Sequence, residues 1–314
     1  MTRAFVFPGQ GSQAVGMGKE LSDASPTARA VFEEVNDALS QDLSTLMFDG
    51  PIEDLTITFN AQPALMASSI AVVRVLENDF GIKLADVAGY VAGHSLGEYS
   101  ALAAAGTLNL SDTARLLKLR GEAMQRAVPV GVGAMAAIMG ADFSVIEEIA
   151  AEAGQGEVCT AANDNADGQV VISGHKGAVE RAMEIAKERG IKRAIPLPVS
   201  APFHCPLMQP AADEMALALA SATFKAPSIP VITNVSAAPE NDPERLRELL
   251  VEQITGRVRW RGSVLKMGEL GVAELIELGT GKVLSGLVRR INPEMSGKSI
   301  QTMADIEALA EELR

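Results

Sequence analysis

The chain is poor in histidine, cysteine and aromatic residues, and each shortage limits what it can be. Its 314 residues include three histidines, two cysteines and one tryptophan, and aromatic residues make up 4% of the total. Two cysteines, Cys159 and Cys205, make no disulfide framework, so we expect reduced, buried thiols. With only His94, His175 and His204 present, few side chains are available as a general base.

Positive charge and long apolar runs are also lacking. The 27 Lys and Arg residues face 40 Asp and Glu residues, which gives a net charge of −13. Binding to nucleic acid phosphates needs a basic face, so this balance argues against a nucleic-acid partner. No apolar run reaches the length of about 18 residues that spans a membrane, and the first residues lack a secretory apolar segment. We expect a cytoplasmic protein without a membrane partner.

One stretch carries the clearest chemical signal, and it reads Gly-His-Ser-Leu-Gly over residues 93–97. An apolar run at 87–92 predicts a buried strand before it, and residues 98–105 favour a helix after it. A strand, Gly-x-Ser-x-Gly and a helix together are typical of a nucleophile elbow. The sequence therefore indicates Ser95 as a nucleophile at a helix N-terminus, where backbone N–H groups favour developing negative charge. The alternative is a structural turn with an idle serine.

A serine nucleophile needs a general base, and His204 is the best of the three histidines. His94 lies inside the elbow, so its side chain must point away from that of Ser95. His175 opens a predicted helix and is expected at the surface. His204 comes late in the chain on a stiff segment bracketed by Pro202 and Pro206, which suits a catalytic histidine. No acid is marked as its partner, and a carbonyl group could orient the ring instead.

The order of predicted elements indicates an α/β fold in two parts. Residues 1–127 and 198–314 read as a hydrolase-like catalytic subdomain with a parallel sheet. Between them, residues 128–197 give the order β-α-β-β-α-β, which is typical of a ferredoxin-like unit. We expect this unit to be a compact insertion, with residues 163–168 as a loop between two of its strands. In the catalytic part, residues 63–80 predict one long, largely buried helix.

Two binding motifs are matched only weakly. Residues 9–14 fit a Gly-x-Gly-x-x-Ala dinucleotide fingerprint, but the strand ending in an acid about 20 residues later is missing. Residues 163–168 resemble the start of a calcium loop, but Gly174 stands where the loop needs a glutamate. We expect no metal and no bound cofactor, and a nucleotide-binding module on the 9–14 loop remains the alternative from another class.

Several motifs in one order make the chain similar to the malonyl-CoA:acyl carrier protein transacylases of dissociated fatty acid synthesis. The resemblance covers essentially the whole length. Its motifs are Phe-Pro-Gly-Gln-Gly-Ser-Gln at 7–13, Gln-Pro-Ala at 62–64, Gly-His-Ser-Leu-Gly-Glu-Tyr-Ser-Ala at 93–101, Arg-Gly-x-x-Met-Gln at 120–125, Gln-Val-Val-Ile-Ser-Gly at 169–174, Pro-Phe-His at 202–204 and Gly-Lys-Val-Leu at 281–284.

The resemblance implies a ping-pong transfer of malonyl from malonyl-CoA to the phosphopantetheine thiol of holo acyl carrier protein, through malonyl-serine. It implies a monomer that needs no cofactor. The implied roles are nucleophile for Ser95, base for His204, oxyanion-hole N–H groups for Gln10 and Leu96, carboxylate clamp for Arg120, base orientation through a carbonyl for Gln253, and places near the substrate for Gln62, Asn163 and Phe203.

Two of these roles can be compared with the residues themselves. At 100° per residue, Arg115 and Arg126 lie about 140° and 120° around the helix from Arg120. Only one of the three can face a cleft squarely, and the resemblance selects Arg120. Phe203 is bulky, as in the malonyl-selective relatives of the wider acyltransferase family, so it should limit acyl size. A serine esterase or thioesterase of similar fold is the enzymatic alternative.

Overall fold

Two separate β-sheets organise the fold. The structure is a computed structural model and describes residues 2–199 and 201–314. Its strands are β1 (Thr2–Phe7), β2 (Tyr90–Gly93), β3 (Gly133–Met139), β4 (Cys159–Ala166), β5 (Gln169–His175), β6 (Arg193–Pro196), β7 (Val231–Ile232), β8 (Pro239–Glu240), β9 (Val272–Leu278) and β10 (Ser296–Ile300).

Helices surround both sheets and form most of the remaining structure. They are α1 (Lys19–Ala24), α2 (Pro26–Leu39), α3 (Leu43–Asp49), α4 (Ile52–Thr56), α5 (Thr58–Asn78), α6 (Leu84–Val87), α7 (Gly97–Ala104), α8 (Leu110–Ala127), α9 (Phe143–Gly154), α10 (Lys176–Glu188), α11 (Gln209–Ser221), α12 (Pro243–Thr255), α13 (Trp260–Glu269), α14 (Val283–Ile291) and α15 (Met303–Leu313).

The large sheet has the order β10-β9-β1-β2-β7-β8. Its neighbouring strands run parallel except for β8, which pairs antiparallel with β7 at one edge. The central strand β1 is buried over its last four residues, as expected for a parallel strand covered on both faces. The carboxyl ends of β1 and β2 lie side by side, with Phe7 opposite Gly93, and this edge positions the site.

The small sheet is antiparallel, in the order β4-β5-β3-β6. With α9 and α10 it follows the predicted β-α-β-β-α-β order. It has an apolar core of its own, in which Ile138, Ile149, Ile172 and Val179 are buried together. The predicted fold class, a hydrolase-like parallel sheet with a smaller ferredoxin-like unit, is confirmed by this arrangement.

Helix α5 passes through the core of the large part. It begins at Thr58, five residues before the predicted start, so Pro63 lies inside the helix rather than at its first position. Among the described residues, α5 is the helix with the length and composition to cross a membrane, but 89% of its most apolar window is buried within the protein. A helix that is apolar on all sides and covered by its own fold is a core helix.

One predicted loop is wrong. Residues 163–168 were expected to connect two strands, yet β4 continues through Ala166 and turns into β5 at 167–168. Asn163 and Asp164 are buried in this extension. The extension pairs with β5 on one side, and on the other side Asp164 donates its N–H to the carbonyl of Val258. The polar composition suggested a loop, and this tertiary pairing overrides it.

Candidate active site

Ser95 lies in a sharp turn between β2 and α7. Its φ is +53°, in the left-handed region that a non-glycine residue rarely adopts. The two glycines of the motif make the turn possible, because a Cβ on Gly93 would overlap the backbone of Gly97, and a Cβ on Gly97 would overlap the carbonyl of Phe7. The backbone N–H of Ser95 donates to Oδ1 of Asn234 at 2.7 Å. The predicted elbow therefore has the compact geometry that exposes a serine hydroxyl.

His204 and Ser95 are in direct contact. Nε2 of His204 lies 2.8 Å from Oγ of Ser95, and Nδ1 lies 2.9 Å from the backbone carbonyl of Gln253. A carbonyl oxygen only accepts, so Nδ1 carries the proton and Nε2 is free to accept one from the serine. Burial and the nearby charge of Arg120 lower the pKa of His204 to about 3, so the ring is neutral at physiological pH.

Arg120 extends from α8 into the same space. It is 1% exposed, and its Nη1 donates to Oε1 of Gln62 at 2.8 Å. Its Nη2 donates to Oε1 of Gln253 at 2.9 Å and to Oγ of Ser95 at 3.1 Å. The guanidinium is therefore a buried cation whose hydrogen-bond acceptors, Gln62, Gln253 and Ser95, are all neutral groups.

The neighbouring cations on α8 face elsewhere. Arg115 pairs with Asp112, and Arg126 pairs with Glu214, with more than half of each arginine side chain exposed. Directly after Arg120, Gly121 lies against α5, where a Cβ would overlap the backbone of Phe59. This close approach brings α8 near enough to α5 for Arg120 to reach Gln62.

A short chain of hydrogen bonds links Arg120 to the loop after β1. Thr58 donates its hydroxyl to Oε1 of Gln10 at 2.9 Å, and Gln62 donates its Nε2 to the same hydroxyl oxygen at 2.9 Å. The amide of Gln62 is thereby oriented with its oxygen toward Arg120. Gln10 lies in the loop that faces the elbow, and Leu96 is the N-cap residue of α7, so both line the space around Ser95.

These residues enclose a cavity of about 330 Å³. One wall comes from the large sheet and its helices, and the other comes from the small sheet. Phe203 and Asn163 line it as well, and they are 9% and 5% exposed. The small-sheet wall combines apolar side chains with amides; its members are Met135, Ala137, Asn163, Asn165, Gln169, Val171 and Leu197.

The two other histidines are held by structural bonds. Nε2 of His94 lies 2.8 Å from Oδ1 of Asn165, and burial lowers the pKa of His94. Nδ1 of His175 accepts the backbone N–H of Val158. Cys159 and Cys205 are free and buried. Across residues 2–199 and 201–314, no group of three or more His, Cys, Asp and Glu side chains is placed to hold a metal ion.

The glycine loop at 9–14 does not open a helix. The next helix, α1, begins at Lys19, whereas a dinucleotide fingerprint leads directly into its helix. A Cβ on Gly9 would come within 2.8 Å of the backbone carbonyl oxygen of His94. The loop therefore packs closely against the elbow at Gly9.

Sequence reasoning missed two buried residues next to the site, Glu98 and Asn234. Glu98 is 0% exposed and Asn234 is 1% exposed. Asn234 accepts the N–H of Ser95 and donates its Nδ2 to the carbonyl of Gly93 at 2.6 Å. The signal for Glu98 was a carboxylate in the otherwise apolar α7. No local pattern marks Asn234, because it follows β7 and lies far from Ser95 along the chain.

The fold and the cleft together define the class: a hydrolase-like α/β protein with a serine–histidine pair beside a buried arginine. Within this class, the chain belongs to the acyl transferase domain family, and the match to that family covers residues 4–292.

Related proteins agree with this placement. The chain is 46% identical over 308 residues to the malonyl CoA-acyl carrier protein transacylase of Escherichia coli K12, covering 98% of each. The crystal structure of an acyl-carrier-protein-S-malonyltransferase from Bartonella henselae superposes with a TM-score of 0.97 at 55% identity, covering 100% of this chain and 99% of that one. A malonyl-transacylase in complex with its holo type II polyketide synthase acyl carrier protein is 44% identical with a TM-score of 0.96, covering 99% and 100%.

Proposed function

We propose that the protein transfers malonyl from malonyl-CoA to the phosphopantetheine thiol of holo acyl carrier protein, through a malonyl ester on Ser95. The observation that carries the proposal is the position of Arg120, a buried cation that donates to the Ser95 hydroxyl at 3.1 Å. An acyl group with a carboxylate two bonds from its thioester carbonyl would place that carboxylate at the guanidinium. The names of the relatives support the same substrates.

In the first half-reaction, His204 takes the Ser95 proton through Nε2 as the hydroxyl oxygen attacks the thioester carbonyl. The oxyanion is held by the backbone N–H groups of Gln10 and Leu96, each worth about 3 kcal/mol by analogy with one removed donor. The carbonyl of Gln253 keeps the histidine in the tautomer that can accept. CoA leaves as the thiol, and malonyl-Ser95 remains.

Arg120 has two effects in this scheme. Its planar guanidinium can bind both oxygens of the malonyl carboxylate and keeps its charge at every physiological pH. In the empty site that charge also lowers the pKa of His204. A bound carboxylate offsets the charge and raises the pKa of the base, so the correct substrate strengthens the group that activates the nucleophile.

In the second half-reaction, the carrier-protein thiol attacks malonyl-Ser95, with His204 now taking the thiol proton and returning it to the serine. Phe203 and Asn163 shape the space around the acyl group. We place the reaction in fatty acid synthesis in the cytoplasm and propose a monomer without a bound cofactor. The buried, free cysteines support a reducing compartment.

The test is transfer of radiolabelled malonyl from CoA to a purified holo carrier protein. We expect label on the carrier only when its phosphopantetheine is present, and none with Ser95→Ala. Release of free malonate at the same rate with or without holo carrier would instead identify a thioesterase.

A further inference from the structure

We propose that Glu98 is a positioning residue for malonyl recognition: its carboxyl group braces the side-chain amide of Gln253 so that the amide oxygen faces Arg120. This inference rests on the proposed function, because it concerns the residue that would bind the malonyl carboxylate. Glu98 lies in the first turn of α7 and does not line the cavity. It therefore acts through its neighbours.

The amide of Gln253 has two ends, and Glu98 contacts one of them. Nε2 of Gln253 donates to Oε2 of Glu98 at 2.9 Å and to the carbonyl of Ser95 at 3.0 Å. Oε1 of the same amide accepts Nη2 of Arg120 at 2.9 Å. If the amide rotated by 180°, its NH₂ group would face the guanidinium and its oxygen would face the carboxyl. Both contacts would then be repulsive, so Glu98 selects the orientation that serves Arg120.

Glu98 also supports the elbow from the same oxygen. The backbone N–H of Asn234 donates to Oε2 of Glu98 at 2.9 Å, and Oδ1 of Asn234 accepts the N–H of Ser95 at 2.7 Å. Oε2 of Glu98 thus accepts hydrogen bonds from both Gln253, which contacts Arg120, and Asn234, which contacts Ser95. Buried polar networks of this kind keep a single geometry only when every connecting bond is present.

The role needs an acceptor oxygen rather than a full negative charge. Oε1 of Glu98 has no hydrogen-bond partner among the described residues, so both observed bonds use Oε2. Burial raises the pKa of Glu98 to about 7, and the rise is limited by donors from Asn234 and Gln253 and by Arg120. A protonated carboxyl, or the amide of a glutamine, still presents one carbonyl oxygen to both donors.

The experiment compares Glu98→Gln, which keeps the acceptor, with Glu98→Met, which keeps the length and removes it. For each variant, kcat/KM for acylation of Ser95 is measured with malonyl-CoA and with acetyl-CoA. We expect Glu98→Met to lower the malonyl value by about 10- to 100-fold, the effect of losing one hydrogen bond to a charged network. The acetyl value should fall less, so the malonyl-to-acetyl ratio drops by about tenfold. Glu98→Gln should stay within about threefold of wild type for both.

Two further variants separate positioning from general packing. Ser100→Ala, on the same helix and equally buried, removes a hydroxyl that has no partner in the described structure and should leave the ratio unchanged. In a Gln253→Met background, Glu98→Met should change the ratio by less than about twofold, because the amide it orients is gone.

Equal losses for malonyl and acetyl in a folded Glu98→Met enzyme would overturn the inference, and so would a changed ratio in Glu98→Gln. Should Glu98→Met fail to fold, Gln253→Met decides the matter: the inference then requires a malonyl-to-acetyl ratio about tenfold below that of the wild type, and an unchanged ratio overturns it. Failure of the wild-type enzyme to accept malonyl at all would refute the proposed function instead.

Discussion

The two walls of the cleft differ in how they are held. On the large-sheet wall, Ser95, His204 and Arg120 are joined by side-chain hydrogen bonds of 2.8 to 3.1 Å. The small-sheet wall combines apolar surface with amide side chains and carries no charged group among the described lining residues. In the proposed mechanism, the first wall supplies the reacting groups and the second borders the space for the acyl group. The side chains of the proposed chemistry therefore lie on the large-sheet wall, and the small-sheet wall closes the cavity opposite them.

The strongest way to break this division is Arg120→Ala. Loss of the carboxylate clamp should raise the activation free energy for acylation by malonyl-CoA by about 3–5 kcal/mol. Much of this cost comes from leaving the substrate carboxylate buried and unpaired. Acetyl carries no such group and should lose little or gain. Acylation rates with malonyl-CoA and acetyl-CoA measure the two effects, with Arg115→Ala as the control from the exposed face of α8. Equal factors for both acyl groups would make Arg120 a structural residue.

A smaller effect is expected at Phe203, beside the base. Phe203 lines the cavity, and we propose that its ring takes the space that an α-methyl group would need. One methyl group is worth about 1–3 kcal/mol in discrimination. Phe203→Ser should therefore raise methylmalonyl transfer relative to malonyl transfer, as measured by the ratio of the two kcat/KM values. An unchanged ratio would show that another residue limits acyl size.

A third prediction concerns basic residues around the end of α10 and the start of β6, which we expect to affect only the transfer of malonyl to the carrier protein. Lys187, Lys192 and Arg193 are exposed, while Arg189 pairs with Glu148 and Glu152. A local basic patch on this acidic protein would attract an acidic carrier protein.

The double variant Lys192→Glu with Arg193→Glu should raise KM for the carrier several-fold, which corresponds to roughly 1 kcal/mol of binding free energy. Acylation by malonyl-CoA should be unchanged. The control, Lys225→Glu with Arg259→Glu, makes the same change of charge at exposed positions elsewhere. The patch has no docking role if both double variants behave alike.

The smallest effect concerns pH. In the proposed mechanism the neutral form of His204 is the base. The pKa of His204 is lowered to about 3, so this neutral form persists as pH falls. A histidine with an ordinary pKa near 6.5 would lose about 30-fold in activity at pH 5. We expect kcat/KM for malonyl acylation to change by less than about threefold between pH 8 and pH 5. A fall in kcat/KM with a midpoint near pH 6.5 that persists in Glu98→Gln would show that Arg120 and burial do not lower the pKa of the base in the free enzyme.

The elbow was predictable from sequence because local sterics dictate it. Gly93 and Gly97 are required by a turn that a Cβ would block, so the motif carries its own geometry. His204 was predictable because histidines are few. The partners Asn234 and Glu98 were not predictable, since their roles depend on where β7 and α12 meet α7. The error at residues 163–168 has a similar cause, because these polar residues pair with β5 on one side and with Val258 on the other.

The central claim is that Ser95 becomes a malonyl ester under the control of a neighbouring arginine. Mass spectrometry after brief mixing with malonyl-CoA tests it most directly, with peptide mapping to locate the adduct. The account predicts one malonyl group per chain, located on Ser95, absent in Ser95→Ala and discharged when holo carrier protein is added. A stable adduct on another residue, or turnover of malonyl-CoA by Ser95→Ala at the wild-type rate, would contradict it.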